Sequence, residues 1–155
     1  MLHLPFSHTV TLIIITVAIS LLAFSNQKVM NRLIFWPPAM QRGQYDRFIT
    51  HGFIHADGAH LLFNMITLFF FGNIIESFYR QFFYDMGFVL FYLGGLIVAI
   101  LPSYLKHRHD VHWASLGASG AVSAVLFAYI LFQPWNLIFV FFIPVPAIIF
   151  AVLYV

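Results

Sequence analysis

The sequence predicts an all-α membrane protein, a polytopic bundle of transmembrane helices. Of its 155 residues, 62% are hydrophobic and only 8% are charged, whereas a soluble domain has about 25% charged residues. The apolar residues also form continuous runs of the length, roughly 20 residues, that a helix needs to cross a bilayer. They do not alternate at every second position, as the strands of a membrane β-barrel do. We therefore expect five transmembrane helices in one domain over residues 1–155.

Breaks between the apolar runs set the expected helix boundaries. The first helix is predicted over 8–24, the second over 57–78 with Asp57 as its N-cap, and the third over 83–104. The fourth, 119–132, has about 14 residues and, at 1.5 Å per residue, is too short to cross the whole core. The fifth run, 135–155, contains Pro144 and Pro146, so we expect a kink or a break there.

The segment between the first two helices, 25–57, is too polar to span and too apolar to be a free linker. Aromatic and apolar residues flanked by cations, as around Arg32 and Trp36, favour the membrane interface, so we expect a half-embedded loop. The net charge is only +2, and the basic residues lie between or at the edges of the apolar runs. This charge carries information on topology and predicts no nucleic-acid partner.

Ser119, in the run Gly117-Ala118-Ser119-Gly120, opens the short fourth helix. Because that helix is short, its N-terminus is expected below one membrane surface or in a water-filled recess. A helix N-terminus offers free N–H groups to a developing oxyanion, and the glycines let a substrate backbone approach. The alternative is close helix packing through small residues. This pattern alone does not decide between nucleophile and packing motif.

His60 and Asn64 are four residues apart in the second helix and therefore share one helix face. Buried polar groups at membrane depth are costly and usually functional, although a structural pair bonded to nearby backbone is the alternative. His51, His55 and His60 also raise the question of a metal. We expect none, because the Glu of the H-E-x-x-H zinc pattern is missing and no third ligand is evident. No cofactor is implied.

A second group of residues has the spacing of structural contacts. Glu76 follows Gly72 by one helical turn and precedes Arg80 by another, which suits an ion pair along one helix. Arg47 and Thr50 flank the return of the long loop into the second helix. We interpret them as interface anchors or loop-ordering donors.

Together these residues resemble the rhomboid family of intramembrane serine proteases. The matching positions in chain order are Arg47, Thr50, His55, His60, Asn64, Gly72, Glu76, Gly117, Ser119, Gly120 and Ala124. The resemblance implies six transmembrane helices and a long first loop half-immersed beside them. It also implies a catalytic Ser119, oxyanion donors from His60, Asn64 and the Ser119 N–H, and transmembrane proteins as substrates.

In that family the catalytic base is a histidine on the sixth helix, whereas all eight histidines of this sequence precede Ser119. We therefore expect residues 1–155 to be one C-terminally truncated rhomboid-like domain that is inactive without that helix. One alternative is a rhomboid-like protein that binds membrane clients without cutting them. A small transporter ranks last, because it predicts more charge at the membrane midplane than this chain has.

The compact helix set favours a bacterial inner-membrane protein, and the resemblance implies a cytoplasmic N-terminus. Six of the seven Lys and Arg residues then lie on outward-facing loops, against the positive-inside rule. We keep the family orientation, because a loop embedded in the interface is not equivalent to a free loop. A reporter fused at Asn26 tests this expectation.

Overall fold

The structure, a computed structural model, describes residues 7–84, 86–140 and 142–154. Within these residues, three helical spans are long and apolar enough to cross a membrane: His8–Ser25, Gly58–Phe83 and Gly87–His107. A shorter apolar helix, Ser119–Phe132, follows them. The prediction of an all-α membrane bundle is thereby confirmed.

The first span is helix α1 (His8–Ser25), which Ser7 caps by accepting a hydrogen bond from the N–H of Val10. The chain then forms the long loop with three short helices, α2 (Gln27–Leu33), α3 (Pro37–Met40) and α4 (Arg47–Thr50), and a 3-10 turn over His51–Phe53. The backbone of Phe35 pairs with Ser115 through two hydrogen bonds of 2.9 and 3.0 Å. This pairing fastens the loop to the segment just before the fourth apolar helix.

The second span consists of α5 (Gly58–Thr67), a π-helical stretch over Leu68–Gly72 and α6 (Asn73–Phe83). Asp57 caps it, as predicted, by accepting a hydrogen bond from the N–H of His60 at 2.8 Å. The span continues beyond the predicted end at residue 78, because hydropathy marks where the chain leaves the membrane and not where helical hydrogen bonding ends. The next helix, α7 (Gly87–His107), accordingly begins later than predicted.

Helix α8 (Ser119–Phe132) has 14 residues, as predicted, and its buried side chains belong to the main hydrophobic core. It packs closely against α7. A Cβ added to Gly120 would lie 2.5 Å from the Cβ of Ala99, and one added to Gly95 would lie 3.2 Å from the Cα of Ala121. Small residues thus let the two backbones approach, as they do in many membrane helix pairs.

The fifth apolar run differs from the expected spanning helix. It forms a two-stranded antiparallel hairpin, β1 (Leu137–Val140) and β2 (Ile143–Pro146), followed by the short helix α9 (Ala147–Tyr154). Pro144 and Pro146 lack the N–H that a helix needs. A two-stranded sheet tolerates them, because each strand has an open edge. The predicted break is present, but strand pairing replaces the helix before it.

Candidate active site

The site is built around the turn that precedes α8. Gly117 has a φ of +111°, a conformation that side chains rarely adopt. Its N–H donates a hydrogen bond of 2.9 Å to the carbonyl oxygen of His51. Ser119 then starts the helix immediately after this turn. The positive φ of Gly117 therefore sets the direction of the chain so that α8 begins at Ser119.

His60 explains why a glycine is required in the turn. A Cβ added to Gly117 would lie 2.6 Å from Cε1 of the His60 ring, so the imidazole occupies the space that any other side chain would need. The capping hydrogen bond, which the His60 N–H donates to Asp57, fixes the first turn of α5 and with it the position of His60. The sequence-predicted residues His60 and Gly117 are thus brought into direct contact.

His55 holds the next residue of the turn through a continuous hydrogen-bonded chain. The N–H of Ala118 donates to Nε2 of His55 at 3.3 Å, and Nδ1 of His55 lies 3.0 Å from Oγ of Ser20. The Ser20 hydroxyl donates to the carbonyl oxygen of Phe53 at 3.0 Å. This set of partners assigns the proton to Nδ1 of a neutral imidazole.

Burial, together with repulsion from His60, lowers the pKa of His55 from 6.5 to about 4. The neutral form is the one that can accept a hydrogen bond at Nε2. Burial likewise lowers the pKa of His51, whose Nδ1 lies 2.9 Å from the carbonyl oxygen of Arg47. The lowered pKa values of both rings therefore favour the neutral imidazoles, which make the hydrogen bonds described above.

Ser119 itself is exposed, and its hydroxyl makes no hydrogen bond within the described parts of the chain. It borders a small cavity of about 160 Å³. The polar side chains that line this cavity with Ser119 belong to His51, Ser103 and Ser115. Their role in the cavity was not predicted: Ser103 and Ser115 carry no local signal, and the only sequence cue for His51 is its i, i+4 spacing to His55.

Asn64 is buried, and its Nδ2 donates to the carbonyl oxygen of His60 at 2.8 Å. One of its two amide hydrogens is thereby used within α5. His60 lies against Gly117, and Asn64 follows it one turn along α5, but neither side chain is hydrogen-bonded to Ser119 among the residues described. The contacts of His51, His55 and His60 thus hold the turn, and the Ser119 hydroxyl is left open.

Arg47 and Thr50 order the long loop. Nη1 of Arg47 donates to the carbonyl oxygens of Asn31 and Ile34, at 3.0 and 2.5 Å, and Nε donates to Gln44. The Thr50 hydroxyl donates to the carbonyl oxygen of Leu33 at 3.1 Å. These carbonyls lie at the C-terminus of α2, where orphan acceptors need donors.

Gly72 and Glu76 lie in a different cluster, at the N-terminus of α1. Glu76 accepts hydrogen bonds of 2.9 Å from the N–H groups of His8 and Thr9 and one of 2.7 Å from the Thr9 hydroxyl. The predicted pair with Arg80 is present at 2.9 Å. A Cβ on Gly72 would lie 2.8 Å from Cγ2 of Thr9, so this glycine admits α1 to the cluster.

Gly120 and Ala124 both face α7. Gly120 meets Ala99, and Ala124 would lie 3.4 Å from a Cβ on Gly95. Both contacts are close helix packing through small residues, which was the alternative interpretation of the run 117–120. As for a metal, the three histidines around the turn do not form a ligand cluster with other His, Cys, Asp or Glu residues in the described ranges.

Fold and site together define a polytopic helical membrane protein whose short central helix presents an exposed hydroxyl at its N-terminus. The model of the rhomboid domain matches residues 42–155. The chain therefore belongs to the rhomboid family.

Individual relatives agree with this assignment. The chain is 30% identical over 141 residues to "RHOMBOID-like protein 12, mitochondrial" of Arabidopsis thaliana, a match that covers 83% of the chain and 42% of that protein. It is 30% identical over 126 residues to "Rhomboid protease GlpG" of Enterobacter sp. (strain 638), covering 79% of the chain and 41% of the relative. The chain thus spans about two fifths of the length of the curated relatives it matches.

Proposed function

We propose that the complete protein is an intramembrane serine endopeptidase that cleaves transmembrane segments of other membrane proteins. The observation that carries this proposal is the exposed Ser119 hydroxyl at the N-terminus of α8, directly after a turn that His51, His55 and His60 hold in place. Membership of the rhomboid family supports the reaction class. The residues involved are our proposal.

In the proposed reaction, Oγ of Ser119 attacks the scissile carbonyl carbon and forms an ester with it. A histidine base takes the hydroxyl proton and passes it to the leaving amine, and water then hydrolyses the ester. We place this base outside residues 1–155, as the family resemblance implies. In support, both ring nitrogens of His55 are already bonded, and Nδ1 of His51 contacts a backbone carbonyl.

The oxyanion of the tetrahedral intermediate needs donors close to Ser119. The N–H groups in the first turn of α8 have no partner within the helix. His60 lies against the turn, and Asn64 retains one amide hydrogen beyond the one it donates to the carbonyl of His60. Loss of one such donor typically costs about 10²–10³ in rate.

Hydrolysis at membrane depth also needs water. The cavity of about 160 Å³ beside Ser119 is lined by two further hydroxyls and an imidazole. Since one water takes about 30 Å³ of liquid volume, the cavity has room for several. We propose that it supplies the water for deacylation.

We further propose that residues 1–155 form one rhomboid-like domain that lacks activity until the base is supplied. For the intact protein we propose a bacterial inner membrane with a cytoplasmic N-terminus, although one relative is named mitochondrial. Accessibility of a reporter fused at Asn26, read from each side of the membrane, tests the orientation. A reporter on the cytoplasmic side would contradict it, because α1 separates Asn26 from the N-terminus.

Replacement of Ser119 by alanine in the complete protein tests the nucleophile. Cleavage of a transmembrane model substrate should fall by at least about 10³-fold, while thermal unfolding stays unchanged because the hydroxyl has no intramolecular partner among the described residues. Ser123→Ala, the same change one turn further along α8, is the matched control and should retain most of the activity. Cleavage that persists in Ser119→Ala removes the assignment.

The second candidate is a rhomboid-like protein that binds membrane clients without cutting them. It shares the open Ser119 hydroxyl with the protease but needs no histidine base. The two functions separate in one experiment. A binder captures a client equally well with serine or alanine at position 119 and releases no cleaved product from either form.

A further inference from the structure

A groove beside Arg47 lies on the face that the long loop forms. This groove has a volume of about 400 Å³ and is lined by Asn31, Ile34, Trp36, Arg47 and Ala114. It is separate from the cavity of about 160 Å³ that Ser119 borders. The proposed reaction makes no use of it.

Arg47 is a buried cation without a carboxylate partner within the described residues. The nearest acid along the chain, Asp46, instead pairs with Arg32 at 2.8 Å. The hydrogen-bond acceptors of Arg47 are two backbone carbonyls and the Gln44 amide, all of them neutral. Buried charges are normally paired, so a guanidinium whose acceptors are all neutral is suited to binding an anion.

The remaining nitrogen of Arg47 has capacity for such an anion. The three hydrogen bonds use Nε and Nη1, and Nη2 has no partner in the part of the chain that is described. Among the described residues, the buried side-chain atoms without a hydrogen-bond partner are Oγ1 of Thr16 and the hydroxyl of Tyr92. Since Nη2 of Arg47 is not one of them, it keeps access to solvent. Two N–H donors of the planar fork are therefore open, which suits a phosphate oxygen.

Two more cations lie close to residues of this groove or next to them in sequence. The guanidinium of Arg42 lies 5.9 Å from the centre of the Trp36 ring, which is itself part of the lining. Arg32 is ion-paired with Asp46, the residue next to Arg47. Burial, together with repulsion from Arg32, lowers the pKa of Arg47. These three guanidinium groups and the Asp46 carboxylate together carry a net positive charge.

The position of the groove identifies the source of the anion. α1 ends at Ser25 and only Asn26 separates it from α2, while α7 ends at His107, seven residues before Ala114. The ends of two spans long enough to cross a membrane thus adjoin the segments that line the groove. Trp36 is of the type that concentrates at this level, where lipid headgroups lie.

We propose that the groove lined by Asn31, Trp36 and Arg47 binds the phosphate of an anionic phospholipid. The headgroup phosphate accepts hydrogen bonds from Arg47, and Arg42 adds charge above the Trp36 ring. The bound lipid would fasten the long loop to the membrane surface. This site does not depend on catalysis, so it stands or falls separately from the proposed protease activity.

Lipid titration of the purified protein, read by native mass spectrometry, tests the site. Phosphatidylglycerol should bind more tightly than zwitterionic phosphatidylcholine, and Arg42→Gln should weaken that preference about fivefold, the size expected for one basic residue near a lipid surface. Lys28→Gln is the matched control. It removes the same charge from the exposed N-terminal end of α2 and should change the preference by less than about twofold.

Arg47→Gln should abolish the preference, but it also removes the loop contacts of Arg47, so Arg42→Gln remains the decisive variant if that protein does not fold. Equal loss in Lys28→Gln and Arg42→Gln would mean diffuse attraction and would overturn the proposal. Displacement of phosphatidylglycerol by millimolar inorganic phosphate would identify a free-anion site and would also overturn it. Equal binding of phosphatidylglycerol and phosphatidylcholine by the wild-type protein would overturn the proposal as well.

Discussion

Two polar clusters lie within this apolar bundle, and they differ in how fully their groups are bonded. At Glu76 the carboxylate is buried and accepts hydrogen bonds from two backbone N–H groups, a hydroxyl and the Arg80 guanidinium. At Ser119 the supporting histidines are bonded, but the hydroxyl at the centre is exposed and open. A saturated cluster joins helices, whereas an open group on a rigid support is available for chemistry.

The largest effect is expected at the saturated cluster. Glu76→Ala leaves several buried donors at the N-terminus of α1 without an acceptor, which should lower the free energy of unfolding by about 3–5 kcal/mol. Unfolding in a denaturing detergent measures this change. Asp46→Ala removes a carboxylate whose side chain is 45% exposed, so its cost should stay within about 1 kcal/mol. Equal costs for the two variants would contradict the comparison.

A smaller effect on stability is expected at the turn before the serine. Gly117→Ala combines a left-handed φ of +111° with a Cβ 2.6 Å from the His60 ring, so it should cost about 2–3 kcal/mol and displace His60. The cleavage rate of the complete protein should therefore fall by more than the loss of folded protein accounts for. Gly43→Ala, at φ +79° with nothing within 4 Å, has the backbone cost alone. Unimpaired cleavage in Gly117→Ala would show that the turn does not position Ser119.

The smallest effect is the response to acid. Because the folded pKa of His55 lies near 4 and the ordinary value is 6.5, the unfolded state binds its proton first as the pH falls. Stability should be complete above pH 6.5 and decline between pH 6.5 and 4, by up to about 2 kcal/mol at pH 5. The lowered pKa of His51 acts in the same direction.

Unfolding measured at pH 7.5 and pH 5 in His55→Gln isolates this contribution. The glutamine amide oxygen can accept from Ala118 but does not titrate in this range, so the difference between the two pH values should shrink. His109→Gln, at an exposed position after the end of α7, should keep the wild-type difference in stability between the two pH values. A variant His55→Gln that remains as acid-sensitive as wild type would exclude His55 as the source.

The helices were predictable because membrane thickness imposes a long apolar run that is visible in composition. The start of α8 at Ser119 was also predictable, since small and polar residues interrupt the hydrophobic sequence there. The end of the second span was less so: it lies at Phe83 and not at residue 78, because polar residues leave the membrane without leaving the helix. The hairpin before α9 was missed, since a run rich in Phe, Ile and Val is apolar in either conformation, and only strand pairing around the prolines distinguishes them.

The site shows the same division. Spacing predicted that His60 and Asn64 share one face, because i and i+4 neighbours on a helix are set by local geometry. The run 117–120 and the family resemblance made Ser119 the candidate nucleophile. Long-range contacts decided what those residues touch. His55 reaches Ala118 across 63 residues, and Glu76 reaches Thr9 across 67.

The sequence by itself therefore determined the membrane class, the position of the short helix and the set of candidate side chains, because these depend on composition and local periodicity. Only the tertiary structure decided that three histidines contact the turn before Ser119, that Glu76 joins two helices, and that Arg47 and Trp36 line one groove. The physical reason is that each of these contacts joins segments distant in sequence, and no local pattern records which distant groups a fold brings together.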